Sequence, residues 1–174
     1  MDIKKHIAAL GFVPKNGTNG IYHKIYVDYA IEIDFETQSI NYGSAITAES
    51  KTTQNFSQPE NFVVLECVDR LLTKGYKPQN IVLEKTWPSG HGTSGRLDIC
   101  VNREDGTPYM LIECKTFGKE YNKELARIRK DGGQLFTYFQ LSGSKADVLM
   151  LYASELKGNK IVYVNEIIKI EDDY

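Results

Sequence analysis

Residues 96–115 read RLDICVNREDGTPYMLIECK, and the way this segment pairs with itself decides the fold. Two apolar runs of strand length flank REDGTP. Within it, Asp105-Gly106 signals a two-residue hairpin, because both central positions of a type I′ turn take positive φ. A turn centred there pairs Leu97 with Cys114, Ile99 with Ile112 and Val101 with Met110, so one side of the hairpin is wholly apolar and belongs on a core. Side chains alternate along a strand, so Glu113 and Lys115 share the opposite side. There Asp98 falls across from Glu113, and Arg96 across from Lys115. A four-residue loop on the same dipeptide keeps this pairing, whereas a bulge or an off-centre turn shifts it, and Pro108 invites irregularity near the loop.

Two carboxylates facing each other on adjacent strands stand about 4.5–5.5 Å apart at Cα, and like charges so placed destabilise the pair. Either one carboxylate holds a proton, or a divalent cation bridges them, and Mg²⁺ prefers oxygen ligands of this kind. A lysine alongside stabilises phosphorane-like charge or positions an attacking water. A surface ion network with Arg96 and Lys115 neutralising the acids is the plainer reading.

Outward from the hairpin, ENFVVLECVDRLLTKGY has helical spacing and stops at Gly75, and IVLEKTW is a further strand. After the hairpin come a charged helix broken at Gly132-Gly133, the helical pattern QLFTYFQL, and the strands ADVLMLYA and KIVYVN. Upstream, residues 2–10 form a short helix ended by Gly11, and IYHKIY and YAIEIDF read as strands after the turn KNGTNG. The order predicts an α/β (α+β) chain: a mixed β-sheet flanked by helices over residues 51–174, with a small N-terminal αβ unit over residues 1–50.

Bulk properties bound the function. The chain has 174 residues and a formal net charge of -2, which gives no global argument for nucleic acid. From Lys115 to Lys130, however, six basic residues face two acidic ones, and Lys115, Lys119, Lys123 and Arg127 recur at helical spacing. A solvated helix face explains that pattern equally well. The three cysteines form no CxxC pair, which argues against a disulfide framework and a zinc site and fits a reducing cytoplasm. No run is long and apolar enough for a bilayer, and MDIKKHIAALGF lacks the apolar core of a secretory signal.

Asp98, a hairpin, and then Glu113-Cys114-Lys115 resemble the D…(D/E)xK pattern of the PD-(D/E)xK nuclease superfamily, with Leu97 where a proline usually stands. Glu66 in the upstream helix and the QxxxY spacing of Gln134 and Tyr138 extend the likeness. From about Phe62 to Ala153 the order of elements resembles the N-terminal nuclease domain of type I restriction enzyme R subunits.

That resemblance implies a restriction-endonuclease-like fold and a Mg²⁺-dependent DNA endonuclease of a restriction-modification system, with Mn²⁺ as a substitute. The activity would be like that of a type I site-specific deoxyribonuclease. Asp98 and Glu113 would ligate the metal, with the Cys114 carbonyl a third oxygen and Glu66 reaching it directly or through water; Asp69 competes for that place. Lys115 would assist the nucleophilic water. Gln134 and Tyr138 would orient the backbone of double-stranded DNA, and Arg96, Lys119, Lys123 and Arg127 would bind phosphates. No ATP site or methyltransferase motif is visible. Translocation, recognition and methylation would therefore come from further domains or subunits, this chain being an excised piece or one partner of several. A catalytically silent DNA-binding or subunit-docking module of the same fold, and a DNA-repair nuclease, are the alternatives.

Other features carry less. GHGTSGR, at positions 90–96, only approaches a Walker A loop, since it has no lysine-hydroxyl ending and leads into a strand; as a glycine-rich loop it could bring Arg96 or His91 to phosphate. The three histidines show no metal-cluster spacing. Glu84 could approach the acidic site from the neighbouring strand, or face solvent, or be salt-bridged.

Overall fold

The computed structural model describes residues 1–88 and 95–170. Among the described residues the fold is mixed α+β, with two sheets and four α-helices. Helix α1 (Ile3–Ala9) is capped by Asp2, whose carboxylate accepts from the Lys5 amide. Strands β1 (Val13–Pro14), β2 (Ile21–Tyr26), β3 (Tyr29–Asp34) and β4 (Ser39–Asn41) follow as a four-stranded antiparallel sheet in chain order. Then come β5 (Thr47–Ala48), α2 (Glu60–Thr73), β6 (Ile81–Thr86), β7 (Arg96–Asn102), β8 (Pro108–Cys114), α3 (Lys119–Asp131), α4 (Gly133–Leu141), β9 (Val148–Lys157) and β10 (Lys160–Lys169). The second sheet has the order β10-β9-β8-β7-β6-β5, with β8–β9 and β5–β6 parallel and the other pairs antiparallel.

Both faces of this sheet are buried. On one, α2 packs with Ile81, Leu83, Ile99, Val101, Ile112 and Cys114, and the same cluster takes in Ile7, Ile31, Ile33 and Ile40 of the N-terminal segment. On the other, α3 and α4 cover Val82, Cys100, Leu111, Leu149 and Leu151. No helix among the described residues is long and apolar enough to cross a membrane.

The β7–β8 turn is off-centre. Arg103 and Thr107 close it, and Gly106 takes φ 84° while Asp105 does not take positive φ, so the loop is not the expected type I′ turn. A bulge between Val101 and Asn102 then shifts the register back, so Ile99 pairs with Ile112 and Val101 with Met110 as expected. Beyond Ile99–Ile112 the two strands part. Leu97 does not face Cys114 but joins Cys100 and Leu111 beneath α4, so the alternation of faces breaks between Leu97 and Ile99.

Next to that break, Glu84 of β6 takes φ 52°, between the regular pairs Leu83–Ile99 and Lys85–Leu97. Positive φ at a non-glycine residue within a strand costs of order 1–3 kcal/mol and persists only where surrounding contacts hold it.

Gly132, at φ 84°, ends α3, and α4 restarts at once from Gly133. A Cβ at Gly132 would lie 2.4 Å from Cγ of Phe136. Gly132→Ala is therefore expected to lower the unfolding free energy by about 2–3 kcal/mol, read as a lower urea midpoint with an unchanged slope.

Candidate active site

Where β7 and β8 part, the Cys114 N–H loses its strand partner. The Asp98 carboxylate takes it instead, at 2.7 Å. On its other side β8 stays in the ladder through Cys114–Tyr152, and the Lys115 N–H donates to the Tyr152 carbonyl at 2.9 Å. The opened strand ends form the floor of a cleft of about 610 Å³. Among the described residues five carboxylates line it (Glu60, Glu84, Asp98, Glu113 and Glu120), against two cations, Arg96 and Lys115. Gln134 of α4 and Thr116 complete the far wall.

The acids are held by distinct means. Glu113 is 3% exposed; its Oε1 takes the Lys115 ammonium at 2.5 Å, while Oε2 is buried with no hydrogen-bond partner. Glu84 accepts from the hydroxyl of Thr52 and from the N–H and hydroxyl of Thr53, and lies 3.8 Å from the Arg96 guanidinium. Glu60, in the first turn of α2, stands 4.0 Å from the Lys115 ammonium.

Burial, then the charges of Glu113 and Glu60, push the Asp98 carboxyl well above its ordinary value, against the pull of the Cys114 N–H and Lys115. Burial raises Glu113 to about 7 although Lys115 opposes it. Burial alone would lower Lys115; Glu113 and Glu60 outweigh it and hold the lysine as a firm ammonium. Burial also raises Glu60.

Of the residues singled out in the sequence, the cleft brings together Asp98, Glu113, Lys115, Arg96 and Gln134. Glu84 also joins, as a buried wall residue rather than a solvent-facing one. Cys114 contributes its N–H to Asp98, and its own side chain is buried.

Glu66 is a correction. Its carboxylate accepts from Arg70 at 2.6 Å and from the Tyr152 hydroxyl at 2.6 Å, and it lines a separate depression with Lys24, Asp69 and Arg70. Asp69 is taken by the Tyr26 hydroxyl and the Lys24 ammonium, each at 2.6 Å. The middle of α2 is buried, so its acids must find partners inside the protein.

Tyr138 is 3% exposed and is not among the residues lining the cleft; its hydroxyl donates to the Arg96 carbonyl at 2.8 Å, two residues before Asp98. Lys119, Lys123 and Arg127 are exposed on α3 but do not line the cleft, where that helix presents Glu120. Glu124, one turn on, is buried and accepts from the Gln134 N–H at 3.2 Å. His91 and positions 90–94 of the glycine-rich stretch lie outside the described residues.

The reading from sequence missed Glu60 and Glu120. Glu60 was findable as the acid in the first turn, directly after Pro59, where a helix end can meet the ends of strands. Nothing local marks Glu120.

The buried, unpartnered Oε2 of Glu113 beside Asp98 offers hard oxygen donors to a divalent cation. Among the described residues no three His, Cys, Asp or Glu side chains are grouped to hold a metal by themselves. Two carboxylates suit an ion such as Mg²⁺, which keeps several waters and completes its shell with phosphate oxygens.

Residues 59–151, just over half of the chain, match the family described as type I restriction enzyme R protein N terminus. That span runs from the residue before α2 into β9 and contains every carboxylate of the cleft. No curated protein matches the chain.

An acid whose folded-state pKa is raised binds more protons folded than unfolded, so stability falls as pH rises from the ordinary carboxylate range to the raised value, about 7 for Glu113. In metal-free protein, Asp98→Asn is expected to flatten that fall and to raise the melting temperature at pH 7.5 by about 3–6 °C. Glu66→Gln is expected to cost about 2 kcal/mol in urea unfolding and to leave the heat of Mn²⁺ titration unchanged.

Proposed function

Since the chain belongs to the family of type I restriction enzyme R protein N termini, we propose that its cleft is the DNA-cleaving centre of a restriction system, hydrolysing phosphodiester bonds with a divalent cation, Mg²⁺ or Mn²⁺. The observation that carries this reading is the buried carboxylate oxygen of Glu113 without a partner, next to Asp98, in a cleft where acids outnumber cations. An acid excess repels a phosphodiester unless positive charge is added, and a hard cation held by Asp98 and Glu113 would add it.

Asp98 and Glu113 would hold the ion, Glu60 and Glu84 framing it from the two walls. When bound, such an ion polarises a phosphoryl oxygen and lowers the pKa of water beside it. Lys115, an ammonium beside Glu113 and Glu60, would offer positive charge and a hydrogen bond to the phosphate, while the proton of the attacking water would pass to solvent. Arg96, exposed at the rim and bonded to Ser50 at 3.0 Å, can turn to a phosphate. Gln134 offers its carboxamide from the far wall. Tyr138 positions the start of β7, and through it Asp98.

Double-stranded DNA would track along the exposed row Lys119, Lys123 and Arg127. Translocation and sequence recognition would come from other domains or subunits in the cytoplasm.

A silent module of the same fold that binds DNA or docks a subunit is the second reading, favoured by the lack of a three-ligand metal group among the described residues.

Plasmid nicking separates the two. The native chain is expected to nick in Mg²⁺ and to stop in EDTA, and Asp98→Ala and Lys115→Ala to lower the rate by roughly 10²–10⁴-fold. Calorimetric Mn²⁺ binding is expected to vanish in Asp98→Ala and to survive in Lys115→Ala. DNA binding without nicking and without Mn²⁺ heat would establish the silent module instead.

A further inference from the structure

The cleft has a neighbour beyond Thr116. Pro59 and Thr116 belong to its wall and also wall a second pocket of about 290 Å³, reaching His6, Phe62, Phe117 and Ser154. Two polar side chains of that pocket are buried with bonding capacity unspent. Ser154 is 4% exposed and its Oγ has no hydrogen-bond partner; His6 is 2% exposed, and the Phe62 backbone satisfies at most one of its ring nitrogens. Burial holds His6 below its ordinary pKa, against the Phe62 backbone, so its neutral ring carries one donor and one acceptor, and the serine hydroxyl carries both as well. The His6 ring stands edge-on to Phe62, with centroids 5.8 Å apart. Burying an unsatisfied hydroxyl such as that of Ser154 costs stability.

The remaining lining defines the ligand. Asp2 and Glu155 bring negative charge, and among the described residues no lysine or arginine lines the pocket, so phosphate is disfavoured. Phe117, 41% exposed and two residues from Lys115, offers an aromatic face for stacking. A flat, largely apolar ring edged with amino donors and ring acceptors meets these requirements together.

We infer that this pocket receives an unstacked nucleobase of the DNA strand whose phosphate lies at Lys115, with His6 and Ser154 bonding its edge and Phe117 stacking on its face. The inference rests on the nuclease reading of the cleft. The acids at the pocket favour bases that carry an exocyclic amino group.

The test compares two single-stranded oligonucleotides of equal length and charge, one of deoxycytidine and one wholly abasic, binding to the full chain in Ca²⁺ by fluorescence anisotropy. The native protein is expected to bind the deoxycytidine strand about tenfold tighter than the abasic strand. In Phe117→Ala and in Ser154→Ala that ratio is expected to fall below about threefold. Ser154→Ala should meanwhile melt no lower than the native chain, since it deletes an unsatisfied hydroxyl; Phe117→Ala alters an exposed side chain.

Equal binding of the two strands by the native protein, or a ratio that survives both substitutions, overturns the base pocket while leaving the cleft intact. In that case water alone satisfies His6 and Ser154. If neither strand binds, with native or Lys115→Ala protein, the cleft reading itself has failed, and the base pocket falls with it.

Discussion

The Cys114 N–H is bonded by the side chain of Asp98 and not by a carbonyl of β7, and the cleft exists because of that exchange. A strand cannot leave its partner without stranding backbone groups, and stranding them inside a protein is costly. Here the Asp98 carboxyl stands in for the missing carbonyl, with a hydrogen bond worth about 1 kcal/mol. The neighbouring strand adjusts through the positive φ of Glu84, whose carboxylate Thr52 and Thr53 then hold. β7 can thus diverge from β8 at the point where Asp98, Glu113 and Lys115 come together. Tyr138 fixes the position of β7 from the α4 side.

Helix α2 is tied down at some distance from the cleft, and that bears on Glu60. Its buried acids are paired: Glu66 with Arg70 and Tyr152, Asp69 with Lys24 and Tyr26. The second pair reaches into β2, so the N-terminal sheet grips the helix that carries Glu60 to the cleft. The Arg70 guanidinium also stacks over the Tyr163 ring at 3.8 Å, joining α2 to β10. These networks hold the helix in place, and the unpaired acid surplus is left to the cleft at its first turn.

Strand and helix positions were readable where they follow from local pattern: alternation in β3, apolar runs in β7 and β8, apolar spacing in α2, and glycines at the stops. The β7–β8 register was readable for a less general reason. The turn is off-centre and a bulge compensates, so the expected pairs Ile99–Ile112 and Val101–Met110 form although the type I′ turn does not. Glu66 was misplaced because an amphipathic pattern says which face of a helix is buried but not which end meets the strand ends. The row Lys119, Lys123 and Arg127 shares the same limit: periodicity groups residues on a face without saying whether that face lines the cleft.

The sequence by itself determined the elements from α2 onward, their order, and the grouping of Asp98, Glu113 and Lys115 on one hairpin, since turn chemistry and the two-residue period of a strand act over short separations. Only the tertiary structure decided that Glu60 and not Glu66 enters the cleft, that Glu84 turns inward, and that the Ser154 hydroxyl is left without a partner. Those outcomes depend on how α1, α2 and the sheets pack against one another, which is set by burial summed over distant residues and leaves no mark in any short stretch of chain.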